Sequence, residues 1–207
     1  MKKQKRHLFM DFDGLKYNTF PYFTKYYNNK YGINIKEEEF YFEKDACILV
    51  NKHIEISEVD LYGACGREFL NSIDWHKDVR PYEGMVDVVN PLINEWLMHT
   101  VTARQFSGIN TIEYLNEKYV PGAISKIHCI WEKLPNNEYK HISKIDYILS
   151  HVSNATDGIF LDDTPKEILR AQDHVRSILF DPHEVFSGMK EIKERATSWK
   201  MMGEMIR

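Results

Sequence analysis

The run His7-Leu8-Phe9-Met10-Asp11-Phe12-Asp13-Gly14 decides how the rest of the chain is read. Leu8 to Phe12 describe a buried strand, and the run ends in two aspartates spaced i and i+2. Residues at that spacing share one face of a strand. Their carboxylates are therefore pushed together where the strand ends. Like charges this close repel unless a cation lies between them or one group keeps its proton. The pair is poor for stability and well suited to Mg²⁺ chemistry. Gly14 then allows a tight turn against a ligand. A calcium loop of the EF-hand type is excluded, because it needs glycine at its sixth position and an acid at its twelfth. Here glycine comes fourth, and Tyr22 falls twelfth.

Working outward, the same kind of ending recurs. Leu97 to Thr102 reads as a strand closed by a hydroxyl, with Arg104 two residues on. Gly158 to Leu161 reads as a short buried strand that ends in Asp162-Asp163. Lys126–Ile130 and Arg176–Phe180 read as further strands. Helical patterns lie between them over Met85–Asn94, Ile109–Tyr119, His141–His151 and Pro165–Asp173, and a charged amphipathic helix closes the chain. Strands alternating with helices predict a doubly wound, Rossmann-like α/β fold with a parallel sheet. Ligands of such sheets bind beyond the carboxyl ends of the strands. Four carboxylates, a hydroxyl and a cation are then expected in one crevice. An oxygen-rich donor set of this kind suits Mg²⁺. Lys144 is placed to supply a second positive charge, with Lys126, Lys133 and Lys140 as rivals.

Between the first strand and Arg80-Pro81-Tyr82-Glu83-Gly84 the texture changes. Phe20, Phe23, Tyr26, Tyr27 and Tyr31 recur at helical spacing, and Gly32 is a natural C-cap. Ile35–Phe42 and Ser57–Leu70 read as more helix, with Ser57 as an N-cap. The expectation is a core made of residues 1–14 and 79–207, with residues 15–78 inserted as a small helical cap. The aromatic stripe reads first as packing within that cap, with a ring such as Phe20 or Tyr22 facing the crevice. His99, flanked by apolar residues, reads as a satisfied core histidine.

Composition removes several classes. The 207 residues carry a net charge of −4, so no global attraction draws the chain to nucleic acid or anionic membrane. Three widely spaced cysteines predict neither a disulfide framework nor a metal knuckle, and favour a reducing, cytoplasmic setting. The basic start is followed by an apolar run too short for a signal peptide, and no segment approaches membrane-spanning length.

Taken in order, Asp11-Phe12-Asp13-Gly14, Thr102, Lys144 and Asp162-Asp163 resemble the four motifs of the haloacid dehalogenase superfamily, in its branch of aspartate-based phosphatases. The resemblance spans most of the chain, and the stretch after the first motif is similar to that superfamily's helical cap. It implies a Mg²⁺-dependent phosphomonoesterase. Asp11 would be the nucleophile and a metal ligand, and Asp13 the acid and then the base, with its backbone carbonyl on the metal. Thr102, Arg104 and Lys144 would hold the phosphoryl group. Asp163 would ligate Mg²⁺ directly, with Asp162 binding Lys144 or a metal water. Small size, the cap position and Leu161-Asp162-Asp163-Thr164-Pro165 look most like the 5′(3′)-deoxyribonucleotidase branch. Leu15, and Thr102-Ala103-Arg104 in place of a Thr-Ser-Pro second motif, depart from it.

The expected substrate is thus a small phosphate ester, nucleoside monophosphates first. Phe20, Tyr22, Tyr62 and Trp75 are available to stack on a base. Sugar phosphates or nucleic-acid ends are the alternatives within enzymes, and the acidic balance disfavours the polymer. A non-catalytic phospho-ligand or partner-binding protein is the alternative outside them. Intact Asp11 and Asp13 weigh against it. The oligomeric state stays open.

Overall fold

A computed structural model describes residues 5–43, 45–104, 106–133 and 139–207. The first strand, β1 (Arg6–Met10), lies in the middle of a parallel sheet. After it come five helices: α1 (Phe20–Tyr31), α2 (Glu37–Phe42), α3 (Ala46–Asn51), α4 (Glu58–Cys65, prolonged by a π-turn Gly66–Leu70) and α5 (Ile73–His76). The chain continues through α6 (Met85–Leu92), β2 (Trp96–Thr102), α7 (Ile109–Tyr119) and β3 (Ile124–Cys129). Two short antiparallel strands follow, β4 (Trp131–Lys133) and β5 (Tyr139–His141), then α8 (Lys144–His151). The last elements are β6 (Ile159–Asp162), α9 (Pro165–Ala171), β7 (Arg176–Phe180), β8 (Arg195–Ala196) and α10 (Trp199–Ile206).

The sheet order is β3-β2-β1-β6-β7-β8, with every pairing parallel. Alternate residues of one strand feed two cores. Leu8, Met10, Leu161 and Ile178 pack under α6, α7 and α10, whereas Phe9, Phe160 and Leu179 pack under α8 and α9. A strand buried on both faces reads as a continuous apolar run, as Leu8–Met10 does, and β1 ends at Met10, before the first aspartate. Each such side chain is worth about 1.5–3 kcal/mol on burial. A third cluster, from Phe20 and Tyr27 to Leu61 and Phe69, is built by α1–α4, the π-turn and their connecting loops, with Trp75 of α5 packed against it. Leu15 and Tyr17 pack instead with the α6 side of the sheet.

The differences from expectation are local. The helix placed at His141–His151 starts at Lys144, because Ser143 Oγ caps it by accepting the Asp146 N–H, and Tyr139–His141 pairs as a strand. The closing helix starts only at Trp199, capped by Ser198. Helix α3 was unforeseen; Asp45 caps it through the Cys47 N–H. Among the described residues the three cysteines are free and no helix is long and apolar enough to cross a membrane.

Candidate active site

Strands β1 and β6 are neighbours in the sheet, yet β1 connects onward to β2 on its other side. The sheet order therefore reverses at β1/β6, where doubly wound folds open a crevice. Asp11 follows β1 directly, Asp162 ends β6 and Asp163 follows it, and all three are buried. One carboxylate oxygen from each lies within 4.8 Å of the others. Gly14 makes the approach possible. Its φ is +71°, and a Cβ there would lie 2.2 Å from Asp163 Oδ2 and 2.7 Å from Phe20 Cζ. No side chain fits that space.

Two cations enter the crevice and divide it. Lys144 opens α8 and is buried; its Nζ lies 2.6 Å from Asp11 Oδ2 and 2.7 Å from Asp162 Oδ2. Asp11 Oδ1 also accepts the Phe12 N–H, and Asp162 Oδ1 the Thr164 N–H. Lys126 and Lys140 are exposed instead, and the Lys133 side chain lies outside the described residues. Arg104 takes the other half. Its Nε donates to Asp13 Oδ2 and its Nη2 to Asp13 Oδ1, both at 2.7 Å, a two-pronged grip that lysine cannot reproduce. Its Nη1 donates to Thr111 Oγ1 and to His76 Nε2, and the guanidinium lies over the Phe12 ring. Arg104, expected on the substrate phosphate, has four of its five N–H groups engaged within the protein.

The electrostatics of the halves differ accordingly. Burial raises the Asp11 carboxyl, Lys144 counteracts it, and the charges of Asp162 and Asp163 raise it further, leaving it well above the usual range. Asp162 is raised for the same reasons, burial first. For Asp13, burial also works upward, but the Arg104 charge and hydrogen bonds prevail and hold it below the usual range. With all four carboxylates ionised against two cations, the cluster carries two negative charges that a dication balances; the raised Asp11 and Asp162 reflect burial and that excess. Buried, hard oxygen donors drawn from two strand ends fit Mg²⁺.

Thr102, buried at the end of β2, accepts the Arg104 backbone N–H at 3.1 Å, so its own hydroxyl proton is free to donate elsewhere. Thr102, Asp11, Asp13, Lys144 and Asp163 share the wall of a cavity of about 540 Å³. Its opposite wall comes from α1–α4, with Phe20, Phe23 and Tyr62 on it, and Trp131 and Lys166 also line the space. Of the four rings available to stack on a base, Phe20 and Tyr62 line the cavity, so of the two named as facing the crevice Phe20 does. Tyr22 instead donates to the Asp78 carbonyl, and Trp75 packs on Tyr26 and Phe69. The sequence reading missed His76, Thr111 and Lys166. Lys166 carried a signal, three residues after Asp163 at the start of a helix. His76 carried none, since its partner Arg104 lies 28 positions away; Thr111, seven positions from Arg104, reads as an ordinary helix threonine.

The sequence matches no family model and no curated protein. The structure is similar to several solved ones. A haloacid dehalogenase-like family hydrolase from Streptococcus pneumoniae superposes with a TM-score of 0.72 at 10% identity, over 97% of this chain and 98% of that one. A protein assigned as a phosphoglycolate phosphatase from Lactobacillus delbrueckii gives 0.69 at 10% identity, over 99% of each chain. A protein assigned as a HAD hydrolase from Bacillus subtilis, solved with bound magnesium, gives 0.64 at 13% identity, over 99% of each. The chain therefore has the haloacid dehalogenase-like α/β fold.

Proposed function

We propose that this chain is a Mg²⁺-dependent phosphomonoester hydrolase that works through an aspartyl-phosphate on Asp11. The observation that carries the reading is the division of the crevice. Asp11, Asp162 and Asp163 converge on Lys144, while Asp13, two residues on, is held apart by its own cation. Two carboxylates set in different environments are the usual basis for two chemical roles. The magnesium in the Bacillus subtilis neighbour supports the choice of metal.

The residues divide the work. The Asp11 carboxylate attacks phosphorus as the ester P–O bond breaks, and Asp13, which Arg104 keeps ionised at rest, takes a proton from solvent and passes it to the leaving alkoxide. Ionised Asp13 then takes a proton from water, whose oxygen attacks phosphorus. The P–O bond to Asp11 breaks, and inorganic phosphate leaves. Lys144 orients Asp11 and offsets charge on the transferring group, and Thr102 donates to a phosphoryl oxygen. Asp11, Asp163, Asp162 and the Asp13 carbonyl would hold Mg²⁺, which would supply further neutralisation of the phosphoryl oxygens.

The substrate is a small phosphate ester whose organic part lies between the helices and the sheet edge. Nucleoside monophosphates, as for a 5′(3′)-deoxyribonucleotidase, are the first choice, on the strength of Phe20 and Tyr62 in the cavity wall. A second reading rests on Lys166: a short ester with an anionic tail, such as the phosphoglycolate named for the Lactobacillus delbrueckii neighbour. Three free thiols support a cytoplasmic setting. A kinetic panel with and without Mg²⁺ tests all of this. Nucleotides are expected to exceed hexose phosphates in kcat/KM by one to two orders of magnitude, from about 1–3 kcal/mol per stacked base. Equal turnover removes the nucleotide reading, and preference for phosphoglycolate replaces it with the second. No Mg²⁺-dependent hydrolysis of any ester removes the enzyme reading.

A further inference from the structure

We infer that His76 and Arg104 form a positioning relay through which residues 70–76 hold the Asp13 carboxyl in place for proton transfer. The inference rests on the phosphatase reading above and adds to it what sets the acid's orientation.

The relay begins at a carbonyl. His76 Nδ1 lies 2.8 Å from the Ser72 carbonyl oxygen, which can only accept. Nδ1 therefore carries the hydrogen. His76 Nε2 lies 3.1 Å from Arg104 Nη1, which can only donate. Nε2 is therefore the bare nitrogen. The two contacts together fix one neutral tautomer, and His76 is fully buried among them. Burial, with the Arg104 charge added, lowers the ring to about 4, so it stays neutral around pH 7.

The guanidinium is fixed at every edge. Its Nη1 also reaches Thr111 Oγ1 at 2.9 Å, and that hydroxyl lies 2.7 Å from the Leu70 carbonyl. Its plane lies 4.8 Å from the centre of the Phe12 ring. The Arg104 side chain is 2% exposed. What this frame presents to the crevice is the fork Nε/Nη2, aimed at both Asp13 oxygens. Leu70, Ser72 and His76 come from the end of the stretch read as the insert, and Arg104 and Thr111 from the sheet side. Asp13 is therefore aligned by contacts that cross from one to the other. Proton transfer in both half-reactions needs that alignment, and an error of about 1 Å costs on the order of 10²-fold in rate.

The test compares His76→Leu, His76→Gln and Asp13→Asn on an alkyl phosphate and on p-nitrophenyl phosphate. Inorganic phosphate as a competitive inhibitor reports the binding step. His76→Leu is expected to lower kcat on the alkyl phosphate by about tenfold and on the nitrophenyl ester by much less, because a good leaving group needs little acid. KM and phosphate inhibition are expected to stay within about twofold. His76→Gln, whose amide oxygen accepts from Arg104, is expected to restore the alkyl rate. Should His76→Leu fail to fold, Arg104→Lys carries the same test. It keeps the charge and loses the fork. Equal losses on both esters, or a loss of phosphate binding with kcat intact, would overturn the relay and return Arg104 to the phosphoryl group. A silent His76→Leu beside an inactive Asp13→Asn overturns the relay alone. Full activity in Asp13→Asn overturns the acid–base role of Asp13 and the relay with it, whereas a wild type that hydrolyses neither ester overturns the phosphatase reading.

Discussion

Strands β1, β2 and β3 carry a second polar string, buried at His99 and His128 and half-buried at His7, and it behaves in the opposite way to the crevice. His7 Nδ1 lies 2.9 Å from His99 Nε2, and His99 Nδ1 lies 3.0 Å from His128 Nε2. The three rings form a ladder across the sheet, against Phe9 and Tyr147. Burial lowers His99 and His128 to about 4, while in the crevice burial raises Asp11 and Asp162. The ladder excludes protons, and its hydrogen bonds run from ring to ring. The crevice gathers more negative charge than its two cations balance, beside a cavity through which a ligand enters. A buried polar group without a way out must be satisfied by its neighbours; one that faces a cavity can be left for a ligand to satisfy.

Replacing the nucleophile tests the crevice most severely. Asp11→Asn is expected to abolish turnover, since an amide does not form the acyl phosphate. The fold is expected to survive, because the change removes one of three crowded carboxylates and leaves Lys144 its contact with Asp162. In metal-free buffer the variant should melt no lower than wild type. Near-normal hydrolysis by the purified variant sinks the role of Asp11.

Metal linkage comes next in size. Mg²⁺ that binds the folded chain alone stabilises it by about 2.7 kcal/mol at a hundredfold excess over Kd. Melting temperature should rise with Mg²⁺ and return on chelation. Asp163→Asn should lose most of the rise, and Gly14→Ala should lose it too, because its Cβ would collide with Asp163 Oδ2. A melting temperature blind to Mg²⁺ in the wild type would sink the proposed metal site.

The two regions were unequally legible in the sequence. Asp11 and Asp13 announced themselves because two carboxylates at i and i+2 after an apolar run are locally unfavourable. Asp162-Asp163 did so by ending another such run. The sheet followed from strands alternating with helices, and Gly32 and Ser57 cap where they were expected to. What was not legible depends on contacts between residues far apart in sequence. Arg104 read as a phosphate ligand because its grip on Asp13 is made across 91 positions. Lys16 drew no notice, yet it is fully buried, donates to Thr100 Oγ1 at 2.6 Å, and is lowered to about 7 by burial. His99 read correctly as a satisfied core histidine, but its neighbours in the ladder lie on other strands, and a single strand's pattern does not show them.

The smallest effect expected is the ladder's response to acid, and its sign follows from the lowered histidines. A ring at about 4 in the fold and near 6.5 when unfolded binds its proton first in the unfolded chain. Stability is therefore unaffected above about pH 6.5 and falls as pH drops from there toward 4. Lys126 discourages protonation of His99 and His128, His151 that of His128, and Asp157 favours it at His7. The far end of the ladder indicates which way its protons run. His128 Nδ1 is buried with no partner among the described residues. A bare nitrogen is cheaper to strand there than an N–H, so His128 donates from Nε2 to His99, and His99 from Nε2 to His7. Metal-free melts at pH 7.5 and 5.5 should show a fall of a few degrees, at roughly 2–4 °C per kcal/mol for a chain of this size. The raised carboxylates of the crevice act the other way over the same range, so the informative quantity is the difference between wild type and His128→Leu. That variant removes the stranded nitrogen and one titrating ring while leaving the crevice as it is. Its melting temperature should depend less on pH than the wild type's. Parallel slopes for the two proteins would show that the ladder does not set the acid response.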